Sequence, residues 1–304
     1  IYMIGVKGVG MTMLAQYFSA LGVEVIGSDT EEKFMTDKAL KKAGVKVIEK
    51  FDKNNIPKDA DLIVYSTSYS AERNEEVKTA LAGKIKVLTF AEALAEVFNQ
   101  KYGIAVVGSH GKTTTTAWLG FVMEKAGLHP SAMVGSFVPQ FDGLSLAGKS
   151  DYLVVEADEY QNKLKYFNPK AVLLNNIDYD HPDFFPNEDD YKNVFIEFIK
   201  KIPKSGFLIA NFDDPIIRKV AMVNCKGKII SYAINESADY VAYDTKQIPP
   251  TPFVKGGGIL QYFKVKLGVD EDGEETTGLL RRPRRAPRND SMELGDFSIQ
   301  LAGK

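Results

Sequence analysis

The chain has 304 residues, 44% of them hydrophobic, so it can bury a substantial core and we expect two domains. The formal net charge of −2 argues against a general nucleic-acid-binding or membrane-surface protein. The one cysteine, Cys225, excludes a disulfide framework and is expected to be a small buried hydrophobe in a reducing cytosol. We find no signal-peptide pattern and no run of about 18 apolar residues, so we expect a cytoplasmic protein with no nucleic-acid or membrane partner.

The first hundred residues alternate short apolar runs with stretches of helical periodicity, which is typical of a parallel sheet covered by helices. The opening unit is predicted as strand, glycine loop, helix and strand, over 1–5, 5–10, 11–21 and 23–27. Three further strands are predicted before the boundary, at 45–48, 62–65 and 85–88. Because this series ends near residue 100, we expect one domain over 1–100 and a second over 101–304.

Residues 5–10 form a glycine loop, Gly5-Val6-Lys7-Gly8-Val9-Gly10, between the first strand and the first helix. The backbone of such a loop can approach a diphosphate, although the spacing Gly-x-x-Gly-x-Gly differs from the dinucleotide pattern. Asp29, just past the second strand, stands where an acidic residue usually meets a ribose or base. A glycine-rich turn without a ligand is an equal alternative, and Lys7 is either a diphosphate contact or a solvated loop lysine.

The most informative stretch is Gly-Ser-His-Gly-Lys-Thr-Thr at 108–114, which follows an apolar strand at 104–107 and opens a helix. There, backbone N–H groups and the helix dipole can hold a phosphate, Lys112 adds a positive charge, and the Thr113 hydroxyl can reach Mg²⁺. The strict Walker spacing is absent, because Val106 stands where its first glycine would be. An ordinary turn with a chance Lys-Thr pair is the alternative, but the strand–loop–helix context favours phosphate binding.

Two later strands of the second domain end in polar residues. The strand at 152–156 ends with Glu156 and continues into Ala-Asp-Glu, and the strand at 171–175 leads to His181 among carboxylates. Because ligands of open α/β sheets bind at the carboxyl ends of strands, Glu156 can hold the same Mg²⁺ as Thr113, and His181 can ligate a second cation or position a phosphoryl group. A surface histidine paired with a carboxylate is the alternative, but three converging strand ends favour a site.

The rest of the second domain is predicted as one helix followed by short strands, at 190–201, 206–210, 228–232, 259–265 and 296–300. An acidic run at 270–275 precedes a basic run at 281–288, which is either a patch for nucleic acid or an acidic partner, or a solvated insertion. Because proline and like charges oppose packing, we expect a disordered insertion over 268–292. The chain opens on Ile1 inside a strand and closes directly after another, so we expect it to be a fragment.

Three motifs in this order, Gly-Ser-His-Gly-Lys-Thr-Thr-Thr, Glu-Ala-Asp-Glu and Asn-Ile-x-x-Asp-His, follow an N-terminal Gly-x-x-Gly-x-Gly domain. Together they resemble the Mur ligases of peptidoglycan synthesis over nearly the whole chain. With a histidine before Gly-Lys-Thr, the first motif most resembles that of the branch of the family that joins L-alanine to UDP-N-acetylmuramate. The resemblance implies an α/β fold, with a Rossmann-like UDP-binding domain, a P-loop-type ATP-binding central domain with extra β-strands, and a third domain beyond Lys304.

The resemblance also implies an ATP-dependent amide ligase that passes through an acyl phosphate, with ATP and Mg²⁺ bound by the second domain and UDP-N-acetylmuramate by the first. The UDP-sugar contacts would be Gly8, Val9, Gly10, Asp29, Ser66, Thr67 and His110. The ATP contacts would be Gly108, Ser109, His110, Gly111, Lys112, Thr113 and Thr114. Lys112, Glu156 and His181 would be catalytic, with Thr113 and Glu156 as ligands of one Mg²⁺ and Glu156 and His181 near a second. The implied partners are small molecules, UDP-N-acetylmuramate and L-alanine.

The sequence departs from the family pattern after Glu159. Tyr160 stands where alanine ligases usually carry Ser-Asp. At this position the chain resembles the ligase that attaches a recycled tripeptide to UDP-N-acetylmuramate. The identity of the amino acceptor, L-alanine or a tripeptide, therefore stays open. Phe195 lies four residues after Tyr191, where some Mur ligases carry a carbamylated lysine, so none is expected. Two other classes also stay open: a P-loop ATPase or small-molecule kinase, and a non-catalytic nucleotide-binding module. From residues 1–304 alone we expect ATP binding at best and no ligation.

Overall fold

A computed structural model describes residues 1–247 and 261–267 of the chain. Its strands form two sheets, one of five strands that ends at residue 89 and one of nine strands that begins at residue 102. The predicted insertion over 268–292 and the predicted strand at 296–300 lie outside the described residues. No helix in the described part of the chain has both the length and the hydropathy needed to cross a membrane.

The five-stranded sheet and its helices comprise β1 (Tyr2–Ile4), α1 (Val9–Ala20), β2 (Ile26–Ser28), α2 (Asp37–Lys42), β3 (Lys46–Ile48), β4 (Leu62–Tyr65), α3 (Glu75–Ala82), β5 (Lys86–Thr89) and α4 (Phe90–Asn99). The sheet is parallel throughout, with strand order β3-β2-β1-β4-β5. The central strand β1 is buried along its whole length, as expected in a parallel sheet that helices cover on both faces.

The nine-stranded sheet and its helices comprise β6 (Tyr102–Val107), α5 (Lys112–Lys125), β7 (Ser131–Val138), β8 (Gly143–Leu146), β9 (Tyr152–Glu156), β10 (Ala171–Leu174), α6 (Glu188–Ile199), β11 (Phe207–Asn211), α7 (Pro215–Asn224), β12 (Lys228–Ala233), β13 (Tyr240–Gln247) and β14 (Gln261–Leu267). The strand order is β14-β13-β12-β11-β10-β6-β9-β7-β8, parallel except for the edge strands β14 and β8. After β6 the chain adds β9 on one side and β10 on the other. Such a reversal of strand order is where open α/β sheets bind ligands.

The two sheets share a continuous hydrophobic core. Phe98, at the end of α4, is buried against Phe167 of the second unit, with ring centroids 5.2 Å apart. The backbone amide of Leu144 in the second unit also donates to Gln16 Oε1 of α1 at 2.9 Å. These contacts fix the position of the first glycine loop relative to the second sheet.

The α/β class is confirmed, and the predicted strands of the described residues are present with ends shifted by a few residues. Helix α6 begins earlier than predicted because Asn187 Oδ1 accepts the Asp190 N–H at 2.9 Å and caps it. The sequence analysis placed no strands at β7, β8 or β13 and gave no bounds for helices α2, α3, α4 and α7. Strand β7 includes Ser131, Gly135 and Ser136 among its apolar residues, so it lacks a clear period of two. Cys225, predicted to be buried, is partly buried and packs against the core.

Candidate functional site

The loop between β6 and α5 has a backbone that glycine adopts most easily. Gly108 has φ +136° and Gly111 has φ +76°, values that other residues disfavour. A Cβ on Gly108 would lie 2.9 Å from the carbonyl oxygen of Asn176. The two glycines therefore let the loop turn tightly against the chain that follows β10. The first turn of α5 has no side-chain cap, which leaves its N–H groups able to bind an anion.

Two consecutive asparagines after β10 hold this loop. Asn176 Oδ1 accepts the His110 N–H at 2.7 Å, and Asn175 Nδ2 donates to the His110 carbonyl at 3.2 Å. Ser109 Oγ donates to the Asp178 carbonyl at 2.6 Å and accepts the Asp178 N–H at 2.8 Å. Sequence reasoning assigned no role to either asparagine. The available signal was a pair of amide side chains directly at a strand end.

The Lys112 ammonium is held inside the loop by a buried carboxylate. Its Nζ lies 2.9 Å from Glu159 Oε2 and donates to the Gly108 carbonyl at 2.6 Å. Glu159 is 0% exposed, and its other oxygen accepts the Tyr191 hydroxyl at 3.1 Å. Burial raises the pKa of Tyr191, so this hydroxyl stays protonated and donates. Sequence reasoning gave no separate role to Glu159 or to the Tyr191 side chain, although Glu159 closes the Glu-Ala-Asp-Glu motif.

The structure brings Thr113 and Glu156 together at the carboxyl edge of the second sheet. Thr113 Oγ1 donates to Glu156 Oε1 at 2.8 Å, and the Gly135 N–H donates to Glu156 Oε2 at 2.7 Å. Burial raises the pKa of Glu156, while these two hydrogen bonds and the charge of Lys112 act in the opposite direction. A hydroxyl beside a carboxylate provides the oxygen ligands that Mg²⁺ prefers, so the pair fits the predicted ion.

His181 lies in a left-handed turn after β10, with φ +56°. Its Nε2 is 3.9 Å from Glu159 Oε1, and its ring centroid is 4.7 Å from that of Tyr160. Ligand atoms of Asp158, Glu159 and His181 all lie within 4.8 Å of one another. Sequence reasoning paired His181 with Glu156 at a second cation, whereas the structure places Asp158 and Glu159 beside it.

Lys7, in the first glycine loop, is a buried lysine and not a solvated one. It is 1% exposed, and its Nζ donates to the carbonyls of Thr30 and Glu32 at 2.8 and 2.9 Å and to Glu49 Oε1 at 3.0 Å. The three donors of the ammonium are thus satisfied within the protein. Lys7 therefore ties the glycine loop to the segment that follows β2.

Asp29 lies beneath the same loop and is 2% exposed. Its Oδ2 accepts the Lys7 N–H at 2.6 Å, and its Oδ1 accepts the Thr30 N–H at 2.8 Å and the Tyr69 hydroxyl at 3.1 Å. Both oxygens are engaged by the chain itself. In this structure Asp29 supports the loop from below, and its contact with a ligand stays a prediction.

A cleft of about 350 Å³ opens between the two sheets. The predicted UDP-sugar residues that line it are Gly8, Val9, Gly10, Ser66 and Thr67. The second unit contributes Gln161, Lys163 and Tyr166 to the same cleft. The predicted contact His110 does not line it: its side chain is exposed, and its Nε2 lies 3.9 Å from Asp178 Oδ2. Thr114, predicted to bind ATP, is exposed in the first turn of α5.

Comparison with protein families matches nearly all of the described chain. Residues 1–102 match the Mur ligase family catalytic domain, and residues 106–255 match the Mur ligase middle domain. The UDP-N-acetylmuramate–L-alanine ligase of Borrelia garinii subsp. bavariensis is 38% identical over 72% of this chain and 48% of its own length. The enzyme of the same name from Clostridium botulinum (strain Langeland) is 38% identical over 88% of this chain and 58% of its own. The chain thus spans about half the length of the curated relatives it matches.

Solved structures share the fold at lower identity. The UDP-N-acetylmuramate:L-alanyl-gamma-D-glutamyl-meso-diaminopimelate ligase of Neisseria meningitides superposes with a TM-score of 0.74 and 24% identity, covering 90% of this chain and 84% of its own. The UDP-N-acetylmuramate-alanine ligase of Thermotoga maritima gives a TM-score of 0.69 and 20% identity, covering 88% and 57%. Motifs, sheet topology and family matches agree, and the chain belongs to the Mur ligase family.

Proposed function

We propose that this chain works in an ATP-dependent ligase that joins L-alanine to UDP-N-acetylmuramate during peptidoglycan precursor synthesis. The observation that carries the proposal is the edge of the second sheet, where the phosphate loop with Lys112 and the Thr113–Glu156 pair lie together. The names of the curated relatives support the same substrates. Both substrates and ATP are small molecules of the cytoplasm, where we place the reaction.

In the proposed reaction the lactyl carboxylate of the sugar attacks the γ-phosphorus of ATP, and ADP leaves. The amine of L-alanine then attacks the acyl phosphate carbon, and the tetrahedral intermediate expels phosphate. Such transfers require positioning and charge neutralisation more than covalent help from the protein. Lys112 and the N–H groups at the start of α5 supply this for the phosphates. Mg²⁺, held by Thr113 and Glu156 when bound, would neutralise further phosphate charge.

We assign UDP-sugar binding to residues 1–100 and ATP binding to residues 101–304. The cleft between the sheets supports this division, because it is lined by the first glycine loop and by Ser66 and Thr67 at the end of β4. Backbone atoms of a glycine loop and small hydroxyl side chains suit a diphosphate. In this assignment Asp29 supports the loop from below.

L-Alanine is favoured as the acceptor over a tripeptide because the relatives at 37–38% identity carry the alanine ligase name. A P-loop ATPase or kinase would not need the first domain, which matches the Mur ligase family by itself. His181, which lies beside Glu159 and Asp158, is proposed to act near the transferred phosphoryl group.

Titration calorimetry on the 304-residue chain tests the proposal. Beyond the ATP binding expected from the sequence, the cleft leads us to expect that the chain also binds UDP-N-acetylmuramate. Lys112→Ala should weaken binding of ATP with Mg²⁺ at least tenfold while changing the sugar affinity less than twofold. UDP-N-acetylglucosamine, which lacks the lactyl carboxylate, serves as the matched ligand control and should bind more weakly. Binding of ATP without any binding of UDP-N-acetylmuramate would instead favour the ATPase or kinase class.

A further inference from the structure

Glu159 is a charged partner of the Lys112 ammonium, whose other two hydrogen-bond partners are the backbone carbonyls of the loop. We propose that Glu159 is a positioning residue that takes the place of a phosphate: it holds Lys112 in the loop while no nucleotide is bound and releases it when a phosphate arrives. This inference rests on the proposed nucleotide site, and it adds a role to a residue for which sequence reasoning had none.

The contacts of Lys112 carry the first step of the argument. Its Nζ has Glu159 Oε2 at 2.9 Å, the Gly108 carbonyl at 2.6 Å and the Ser109 carbonyl at 3.4 Å. All three partners belong to the loop or to the motif after β9. A lysine whose charge is largely removed from water needs such partners, and the carboxylate is the only one of the three that carries a charge.

Glu159 is anchored independently of Lys112. Its Oε1 accepts the Tyr191 hydroxyl at 3.1 Å, and that hydroxyl also lies 2.7 Å from Ser109 Oγ. The Tyr191 ring is itself fully buried and packs edge-on against Phe185 and Phe195, with centroids 5.2 and 5.3 Å away. The carboxylate therefore stays in place when Lys112 moves away from it, because its second oxygen is held by a rigid core residue.

A bound phosphate and Glu159 therefore compete for Lys112. A phosphate that binds at the start of α5 must draw Lys112 away from a buried, opposite charge, and it must also approach that charge itself. Removing the negative charge from Glu159 removes both obstacles to phosphate binding: the ion pair with Lys112 and the repulsion between the carboxylate and the phosphate. Without Mg²⁺, the nucleotide should then bind more tightly, which is the reverse of what loss of a purely structural residue would cause.

Glu156 provides the control, since it is a second, partly buried carboxylate at the same edge. Its oxygens are bonded to Thr113 and to the Gly135 N–H rather than to the ammonium. Its removal lowers the negative charge near the loop without freeing Lys112. A gain in ADP affinity confined to the Glu159 variant therefore shows that the ion pair with Lys112 opposes binding. An equal gain in both variants shows only a general effect of the lost negative charge.

The experiment measures ADP affinity of the 304-residue chain in EDTA by titration calorimetry, with thermal unfolding to verify that each variant is folded. We expect Glu159→Gln to tighten ADP binding about three- to tenfold, and Tyr191→Phe, which keeps the charge, to change it less than twofold. Glu159→Asp keeps the charge but is one methylene shorter, which should lengthen the contact with Lys112 while Tyr191 holds the carboxylate; we expect it to tighten binding at least twofold even if the Gln variant does not fold. Weaker or unchanged binding in the folded Glu159 variants, or an equal gain in Glu156→Gln, would overturn the inference. Failure of the wild-type chain to bind ADP would instead overturn the proposed function.

Discussion

Thr113 Oγ1 donates a hydrogen bond of 2.8 Å to Glu156 Oε1, and this bond joins the first turn of α5 to the end of β9. Strand β9 pairs with β6 in parallel, so the loop after β6 and the carboxylate at the end of β9 reach the same edge. The Gly135 N–H fixes the other carboxylate oxygen at 2.7 Å. The two oxygens that we propose for Mg²⁺ are therefore positioned by the fold itself.

Replacing Thr113 by valine removes the hydroxyl and keeps the volume of the side chain. We expect ADP affinity to fall about tenfold with Mg²⁺ and less than threefold in EDTA, because the hydroxyl is proposed to act through the cation. Loss of the hydrogen bond to a largely buried carboxylate should lower the free energy of unfolding by about 1 kcal/mol. Calorimetry with and without Mg²⁺ and urea unfolding measure the two effects.

Thr113→Ser is the conservative control, because it keeps the hydroxyl and should keep most of the Mg²⁺-dependent affinity. An equal loss with and without Mg²⁺ in the valine variant would show that the hydroxyl does not act through a cation.

Lys7→Met tests whether the first glycine loop depends on its buried ammonium. The substitution leaves the carbonyls of Thr30 and Glu32 without their donor, and we expect unfolding in urea to become easier by about 2–3 kcal/mol. Lys33 pairs with the same Glu49 oxygen at 3.0 Å but is 77% exposed, so Lys33→Met should barely move the urea midpoint. A similar shift in both variants would contradict the structural role given to Lys7.

The polar edge of the second sheet could be predicted because each strand that supplies it ends where its apolar run ends. Strands β6 and β9 contain the runs at 104–107 and 152–156 and end at the same residues as these runs. The residues directly after each strand therefore lie at the edge of the sheet. The α/β class and the family are confirmed on this basis. The ligand roles of Lys112, Thr113 and Glu156 stay predictions, since no bound molecule tests them.

The contact between Glu159 and Lys112 could not be predicted, because it joins residues 47 positions apart and Glu159 lies in the irregular segment after β9. The turn that follows places Gln161 and Asn162 in left-handed conformations, with φ values of +56° and +54°. The burial of Lys7 was missed for a related reason. The Lys7 ammonium is buried by its hydrogen-bond acceptors on Thr30, Glu32 and Glu49, which are distant from Lys7 in the sequence.

Cys225 gives a prediction on pH dependence. Burial raises the pKa of its thiol, which donates a hydrogen bond to the Gly227 carbonyl at 3.6 Å. The folded thiol thus holds its proton where the unfolded thiol begins to lose it. Its contribution to stability is fully present below the pKa of the unfolded thiol and is lost as the pH rises through the folded pKa.

Because only the thiolate reacts, iodoacetamide at about pH 8.5 should label Cys225 at least about fivefold more slowly in the folded chain than in urea. Cys225 is the one cysteine of the chain, so mass spectrometry reads its labelling directly. Equal rates in both states would mean that the thiol is not protected by burial.

Gly108→Ala tests the close approach of the phosphate loop to the chain after β10. An added Cβ would meet the Asn176 carbonyl oxygen at 2.9 Å and the Asn176 nitrogen at 3.0 Å, and backbone atoms cannot rotate away as a side chain can. We expect at least a tenfold loss of ADP affinity and a loss of about 2–4 kcal/mol in the free energy of unfolding. Gly127→Ala is the matched control: its φ of +76° is also left-handed, but a Cβ there meets nothing within 4 Å, so it should cost only about 1 kcal/mol and leave ADP affinity within twofold. If both variants bind ADP equally well, the loop can move away from β10 without losing its ligand, and the tight turn serves the fold rather than the phosphate.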